Sequence, residues 1–172
     1  LRLWEHSKEG RDVLWAQFSN DILFAFNTFF WAYDPHPELR SLGLKSSDKD
    51  RPIITHPYQD QTILEINRAI EVGEHLFIDK SRDMLATYMV LLTFLWRWMT
   101  KKGETFRIGS WKEEFVDRKG IIDTLFEKLR YNIARLPLSF LPRSFNADKH
   151  STYMRLLNPE NGSSMIGEAT NA

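Results

Sequence analysis

The sequence predicts an α/β fold, and three stretches of the chain carry that prediction. Residues 75–98 present a short apolar run, a polar loop and then apolar residues at helical spacing. Residues 104–117 repeat the order of strand, loop and helical turn, and residues 153–168 predict a hairpin around an Asn-Gly turn. Successive strand–loop–helix units are typical of a parallel sheet with helical crossovers.

The first of these units is a candidate phosphate site. Residues 75–78 have the length and apolar character of a strand, residues 79–84 are polar, and helical spacing begins at Ala86. The first N–H groups of a helix lack intrahelical partners, and the helix dipole favours an anion there. The alternative is a buried strand and a core helix joined by a charged loop that binds nothing.

Size and composition predict one domain with a substantial core, because 42% of the 172 residues are hydrophobic and 13% are aromatic. Lys+Arg and Asp+Glu both number 23, so net charge gives no reason to expect nucleic acid. The absence of Cys excludes a disulfide framework and a thiolate metal site. The longest apolar run, residues 84–99, is too short for a membrane span, and no secretory signal is evident. We therefore expect a soluble intracellular protein, and part of a longer one.

Further elements flank the central units. Residues 8–32 predict one long helix, stopped by the prolines that follow, whose apolar face is expected to pack in the core. That face consists of Leu14, Phe18, Ile22, Ala25 and Phe29. Residues 41–50 predict a polar loop, and residues 51–59 an extended segment with two prolines. Residues 60–72 and 121–136 predict two more helices.

The loop itself departs from the usual phosphate-loop pattern of Gly, four residues, Gly-Lys and Ser/Thr. Lys80 stands at the first Gly, Leu85 at the second and Ala86 at the Lys, so only the hydroxyl of Thr87 matches in register. Residues 80–87, KSRDMLAT, instead resemble the variant phosphate loop of phage terminase large subunits. These are ATP-driven motors that package DNA into capsids, and their phosphate-binding Lys can stand at the start of the loop.

The resemblance implies ATP and Mg²⁺ as cofactors and assigns roles to loop residues. Lys80 would clamp the phosphates, Thr87 would be the metal-side hydroxyl, and Arg82 would be a second cation. Pro57-Tyr58-Gln59 is similar to the adenine-recognising Q motif, because a side-chain amide both donates and accepts hydrogen bonds and Tyr58 could stack beside the base. The implied nucleotide-binding residues are Tyr58, Gln59, Lys80, Ser81, Arg82, Asp83, Met84, Leu85, Ala86 and Thr87.

Three other patches resemble terminase segments, residues 28–35, residues 109–117 and residues 167–171. The chain also departs from the family at three positions. The family has Gly at Leu85 and Ser144 and a basic residue at Trp111. Gly at position 85 would permit positive φ, whereas a Leu held there in the left-handed region costs about 1–2 kcal/mol.

The resemblance implies a P-loop NTPase-like three-layer sandwich with a mostly parallel sheet, an N-terminal helical segment and a C-terminal β-hairpin. Residues 1–50 would be the helical segment and residues 51–172 an incomplete nucleotide-binding core. No strand ending in Asp-Glu is present, so no catalytic residue is assigned within the chain, and we expect it not to hydrolyse ATP alone.

The implied partners are double-stranded DNA, a portal protein and a small terminase subunit, with the motor as a homo-oligomeric ring in the host cytoplasm and no membrane contact. Two alternatives remain open. One is a non-enzymatic α/β interaction module that has lost nucleotide binding, which Leu85 and Ala86 favour. The other is a nucleic-acid-binding module that works without ATP, for which the scattered Lys and Arg residues give little support.

Overall fold

The computed structural model describes residues 7–33, 50–81 and 83–170. Its helices are α1 (Lys8–Asn20), α2 (Ile22–Phe29), α3 (Pro57–Val72), α4 (Ala86–Thr100), α5 (Glu113–Val116), α6 (Leu125–Ile133) and α7 (Ala147–His150), with a 3₁₀ turn at Leu138–Phe140. Its strands are β1 (Trp31–Tyr33), β2 (Asp50–Pro52), β3 (Thr105–Ser110), β4 (Ser151–Thr152), β5 (Arg155–Leu157) and β6 (Ser164–Ala169).

The predicted α/β class is confirmed, but the predicted three-layer sandwich with a mostly parallel sheet is wrong. In the described residues the main sheet has four strands in the order β3-β6-β5-β4. Only β3 and β6 are parallel, whereas β6–β5 and β5–β4 are antiparallel. The hairpin is the cause, because its short turn returns β6 antiparallel beside β5 and so makes the sheet mixed. Strands β1 and β2 form a separate antiparallel pair.

The predicted strand at residues 75–78 is also wrong, since this segment has no regular secondary structure. Leu76 is 40% and Phe77 is 91% exposed. A strand needs a neighbour for its N–H and C=O groups, and β3, whose other edge has no partner strand among the described residues, does not pair with this segment. A run of four apolar residues has the composition of a strand, but it does not show whether a neighbouring strand is available for pairing.

The main sheet buries one face. Phe106, Ile108 and Met165 are buried, and Phe106 stacks on Phe94 of α4 with ring centroids 4.5 Å apart. Gly167 lies on the same face, where an added Cβ would come within 2.8 Å of Val116 and 2.9 Å of Phe126. Helices α4, α5 and α6 therefore cover this face. The alternate residues of β3, including Arg107, are exposed on the other side.

The predicted single helix over residues 8–32 is interrupted at Asp21. Its side chain accepts a hydrogen bond from the N–H of Phe24 (3.0 Å), while its own N–H donates to Gln17 O (3.0 Å). An Asp that caps the next helix competes with continuous helix formation. The predicted apolar face is nevertheless buried as expected, and Trp96 donates its indole N–H to Phe18 O at 2.6 Å. Residues 34–49, with most of the predicted polar loop, lie outside the described residues.

Several boundaries are confirmed and others shift. The helix at residues 86–100, the strand at 105–110 and the hairpin are confirmed. Helix α3 begins at Pro57, not at residue 60, because proline is well accommodated at a first helical position. Tyr58 and Gln59 therefore lie in a helical turn instead of an extended segment. Helix α6 is shorter than predicted at both ends. Within the described residues, no helix is long and apolar enough to cross a membrane.

Candidate functional site

The candidate loop enters α4 through two residues with positive φ. Asp83 has φ 62°, and Leu85, the residue before the helix, has φ 58° and ψ 18°. The carbonyl of Leu85 accepts the first hydrogen bond of the helix, from the N–H of Met89 at 2.9 Å. Position 85 therefore has the left-handed conformation that glycine adopts most easily, although a leucine stands there.

Gln59 ties the loop to α3. It is only 4% exposed; its Oε1 accepts a hydrogen bond from the N–H of His56 (2.9 Å), and its Nε2 donates to Met84 O (3.3 Å). Both the oxygen and the nitrogen of the Gln59 side chain thus form hydrogen bonds with the protein's own backbone. Adenine recognition by Gln59 stays a prediction. Tyr58 is 46% exposed and stacks on His56, with ring centroids 5.9 Å apart.

A cleft of about 450 Å³ lies between the loop, α4 and β3. Its polar lining comes from Lys80 and Thr87, both predicted site residues, and from Arg107. The remaining lining is mainly apolar and consists of Ile78, Ala86, Val90, Leu91, Phe94, Ile108, Gly109 and Leu125. No lining residue comes from β6, so the cleft follows the edge of β3 that has no partner strand in the described part of the chain. Leu85 does not line the cleft, so its side chain does not fill it.

Of the described site residues that the sequence predicts, Lys80, Ala86 and Thr87 line this cleft, whereas Tyr58, Gln59, Ser81, Asp83, Met84 and Leu85 do not. Lys80, Ser81, Asp83 and Thr87 are exposed, whereas Met84 and Ala86 are half-buried. Arg82 lies outside the described residues. Lys80 forms no hydrogen bond or ion pair with any residue in the described part of the chain. Its ammonium group is therefore available to an anion.

A phosphate chain with its magnesium ion would need a cation and an oxygen ligand, and Lys80 and Thr87 bring these groups to one cleft. A space of about 450 Å³ is within the usual size of small-molecule sites. Mg²⁺ bound with a nucleotide commonly takes its ligands from phosphate oxygens, waters and one or two protein groups. Thr87 is the residue of this chain that would hold the ion, and Lys80 is the one that would neutralise the phosphates.

Sequence reasoning missed Arg107. It lies in the middle of β3, and the alternation of the strand places it on the exposed face. Its approach to the cleft depends on how β3 packs beside α4, and residues 27 positions away in sequence carry no local signal of that proximity. The one local sign is a cation between the two buried apolar residues of the strand, Phe106 and Ile108.

Position 144, like position 85, has a backbone with positive φ. Ser144 has φ 63° in a turn closed by the N–H of Phe145 donating to Pro142 O at 3.0 Å. Positive φ at the third residue of such a turn is the type II arrangement, which favours Gly. Among described residues other than Gly, positive φ occurs at Asp83, Leu85, Ser144 and Met154. Two of these four are positions where the terminase resemblance places Gly.

Replacing Ser144 by Gly should stabilise the fold. Removing left-handed strain gains about 1–2 kcal/mol, and the added backbone entropy of Gly offsets about 0.4–1 kcal/mol of it. We expect the free energy of unfolding to rise by roughly 0.5–1 kcal/mol in urea denaturation. Ser139→Gly, at an exposed serine without positive φ, is the matched control and should lower it. Equal losses from both changes would contradict a left-handed Ser144.

The third departure, Trp111, lies just after β3 and is 58% exposed. It stacks on Phe115 with ring centroids 5.5 Å apart, and the Lys112 ammonium lies 4.5 Å from its ring centre. No protein-family model and no curated protein matches the chain.

Proposed function

We propose that this chain is the ATP-binding portion of a terminase-type DNA-packaging motor, with the loop of residues 79–87 holding the phosphates of Mg-ATP. The observation that carries the proposal is the left-handed backbone at Leu85, directly before α4. The family resemblance calls for Gly at this position, and the loop has the conformation that Gly would allow. Ser144 supports the proposal in the same way at a second, distant position.

The chemistry of binding is electrostatic. Lys80 extends a flexible ammonium from the start of the loop, and the free N–H groups of the first turn of α4 lie at its end. Phosphate oxygens between them would be neutralised by the lysine and hydrogen-bonded by the backbone. Thr87 would complete the site from the helix side by holding Mg²⁺.

In the intact motor this site would drive translocation of double-stranded DNA through a ring of subunits docked on a portal, with a small terminase subunit, in the host cytoplasm. Hydrolysis requires an acidic strand that is not among the residues of this chain. We therefore expect the chain to bind ATP without turning it over.

Calorimetric titration with Mg-ATP tests the proposal. Lys80→Ala should weaken binding at least tenfold, which is about 1.4 kcal/mol, because the phosphates lose their cation. Lys102→Ala, at another exposed lysine, should leave binding unchanged. Leu85→Gly should bind at least as tightly as the original chain, since it keeps the loop conformation without a side chain. No heat of binding from the original chain and from Leu85→Gly would contradict the proposal.

An interaction module without nucleotide is the second candidate, favoured by apolar side chains that the described structure leaves in solvent. Phe77 is 91% and Leu138 is 87% exposed. Exposed apolar groups often mark sites of contact with other proteins. If neither the original chain nor Leu85→Gly binds Mg-ATP, this candidate replaces the first.

A further inference from the structure

We infer that Arg107 is a second phosphate-binding cation of the cleft and that Glu168 is its counter-ion until a ligand arrives. This inference rests on the proposed function, because it concerns the same cleft. The ligand class is a polyphosphate, either the phosphate chain of a nucleotide or a free inorganic polyphosphate. The observation that carries the inference is that Arg107 lines the same cleft as Lys80 and Thr87.

The two cations come from different walls of the cleft. Lys80 belongs to the loop before α4, whereas Arg107 belongs to β3. No described partner holds Lys80, and the backbone of β3 is fixed in register against β6, so the cleft has one cation on a loop and one on an anchored strand. A chain of several phosphates carries enough charge to engage both. The guanidinium can also donate two parallel hydrogen bonds to one phosphate, which an ammonium cannot do.

Arg107 is held weakly where it stands. Its Nη1 lies 3.2 Å from Glu168 Oε2, and the two side chains are 69% and 47% exposed. Exposed ion pairs of this kind contribute little to stability and are screened by salt. A polyphosphate in the cleft therefore competes with a single carboxylate for the guanidinium. That carboxylate also repels the ligand, so Glu168 acts against binding.

The apolar lining supports an anion at the rim of the cleft and not at its floor. Val90, Leu91 and Phe94 of α4 face the cleft and offer no hydrogen bonds to phosphate. The charged groups that line the cleft are Lys80 and Arg107, and both are exposed to solvent. A nucleotide could place its apolar base surface against the floor, whereas inorganic tripolyphosphate could use only the rim.

Calorimetry on the whole chain with Mg-ATP and with tripolyphosphate tests this inference. Arg107→Gln should weaken both ligands about tenfold, and Glu168→Gln should strengthen both a few-fold by releasing Arg107. Arg143→Gln is the matched control, since Arg143 is 92% exposed and lines a different cleft. Circular dichroism should show that all variants keep the fold.

The outcomes separate the inference from the proposed function. If Lys80→Ala abolishes binding while Arg107→Gln binds like the original chain, the inference is wrong and the proposed function stands. If Arg107→Gln weakens ATP but Glu168→Gln leaves both affinities unchanged, the counter-ion role is wrong. If neither ligand binds the original chain or Leu85→Gly, both the inference and the proposed function are overturned.

Discussion

Replacing Asp117 by Ala is expected to lower the free energy of unfolding by roughly 3–5 kcal/mol. The Asp117 side chain is 1% exposed and accepts two hydrogen bonds from Arg130, each 2.6 Å long. It also accepts a hydrogen bond from the N–H of Met154 at 2.7 Å, and Met154 has a positive φ of 52°. One carboxylate thus joins α5, α6 and the hairpin, and its removal leaves a largely buried guanidinium and a backbone N–H without their partner.

Urea denaturation measures this effect, and Glu127→Ala is the control. Glu127 contacts the same Arg130 at 3.1 Å but is 20% exposed and lies one turn away on the same helix. Its loss should cost about 1 kcal/mol, because Arg130 keeps both of its hydrogen bonds to Asp117. The pKa of Arg130 is raised by its acidic neighbours despite the opposing effect of burial, so Arg130 remains charged. Similar values for Asp117→Ala and Glu127→Ala would show that Asp117 has no special role.

Replacing Arg97 by Ala is expected to cost about 2–3 kcal/mol. This arginine is 4% exposed within α4 and reaches two other segments of the chain. It donates to Glu104 at 2.5 and 2.8 Å, just before β3. It also donates to Glu71 at 2.9 Å and to Asn67 at 2.8 Å, both on α3. The expected loss is below that for Asp117, because the abandoned carboxylates are partly exposed and water can rehydrate them.

The loss should depend on pH. The hydrogen bond from Arg97 holds the pKa of Glu71 below its ordinary value of 4.5. A carboxyl group whose pKa is lowered by folding stabilises the fold above its unfolded pKa and loses that contribution as the pH falls through its folded pKa. Urea titrations at pH 7 and pH 3 should therefore show a smaller difference between the original chain and Arg97→Ala in acid.

Arg68→Ala provides the comparison for Arg97. Arg68 pairs with Glu65 at 2.5 Å and Glu74 at 2.8 Å, but its side chain is 48% exposed. Its removal should change the free energy of unfolding by about 0–1 kcal/mol, because solvent screens such pairs. If Arg97→Ala proves equally mild, the three-way contact does not hold α3, α4 and the start of β3 together.

Local signals in the sequence predicted much of the secondary structure. The helix at residues 86–100 is long and strongly apolar, and the Asn-Gly turn at residue 162 requires the positive φ that Gly162 has. The sheet could not be predicted in the same way. Strand status at residues 75–78 depends on an available partner, and only the packed fold shows that β3 pairs with β6 instead. Strand order is a property of the assembled chain.

The candidate site, like the fold, could be predicted only where the local sequence carries a signal. Lys80 and Thr87 lie seven positions apart on one loop and helix turn, and the structure brings them to one cleft. The resemblance predicts a conformational cost at Leu85 if its backbone is left-handed, and the structure has φ 58° there. The sequence predicts adenine recognition by Gln59, which stays a prediction, whereas its burial and its two backbone partners follow from the early start of α3.

The most direct measurement is a nuclear magnetic resonance titration of the isotope-labelled chain with Mg-ATP. The proposed function predicts that the backbone amides of Lys80, Asp83 and residues 84–87 shift first and saturate together. The amides around Lys102 and Arg143, in the separate polar cleft, should not move. Shifts confined to that second cleft, or no shifts at ligand concentrations that saturate ordinary nucleotide sites, would contradict ATP binding at the loop of residues 79–87.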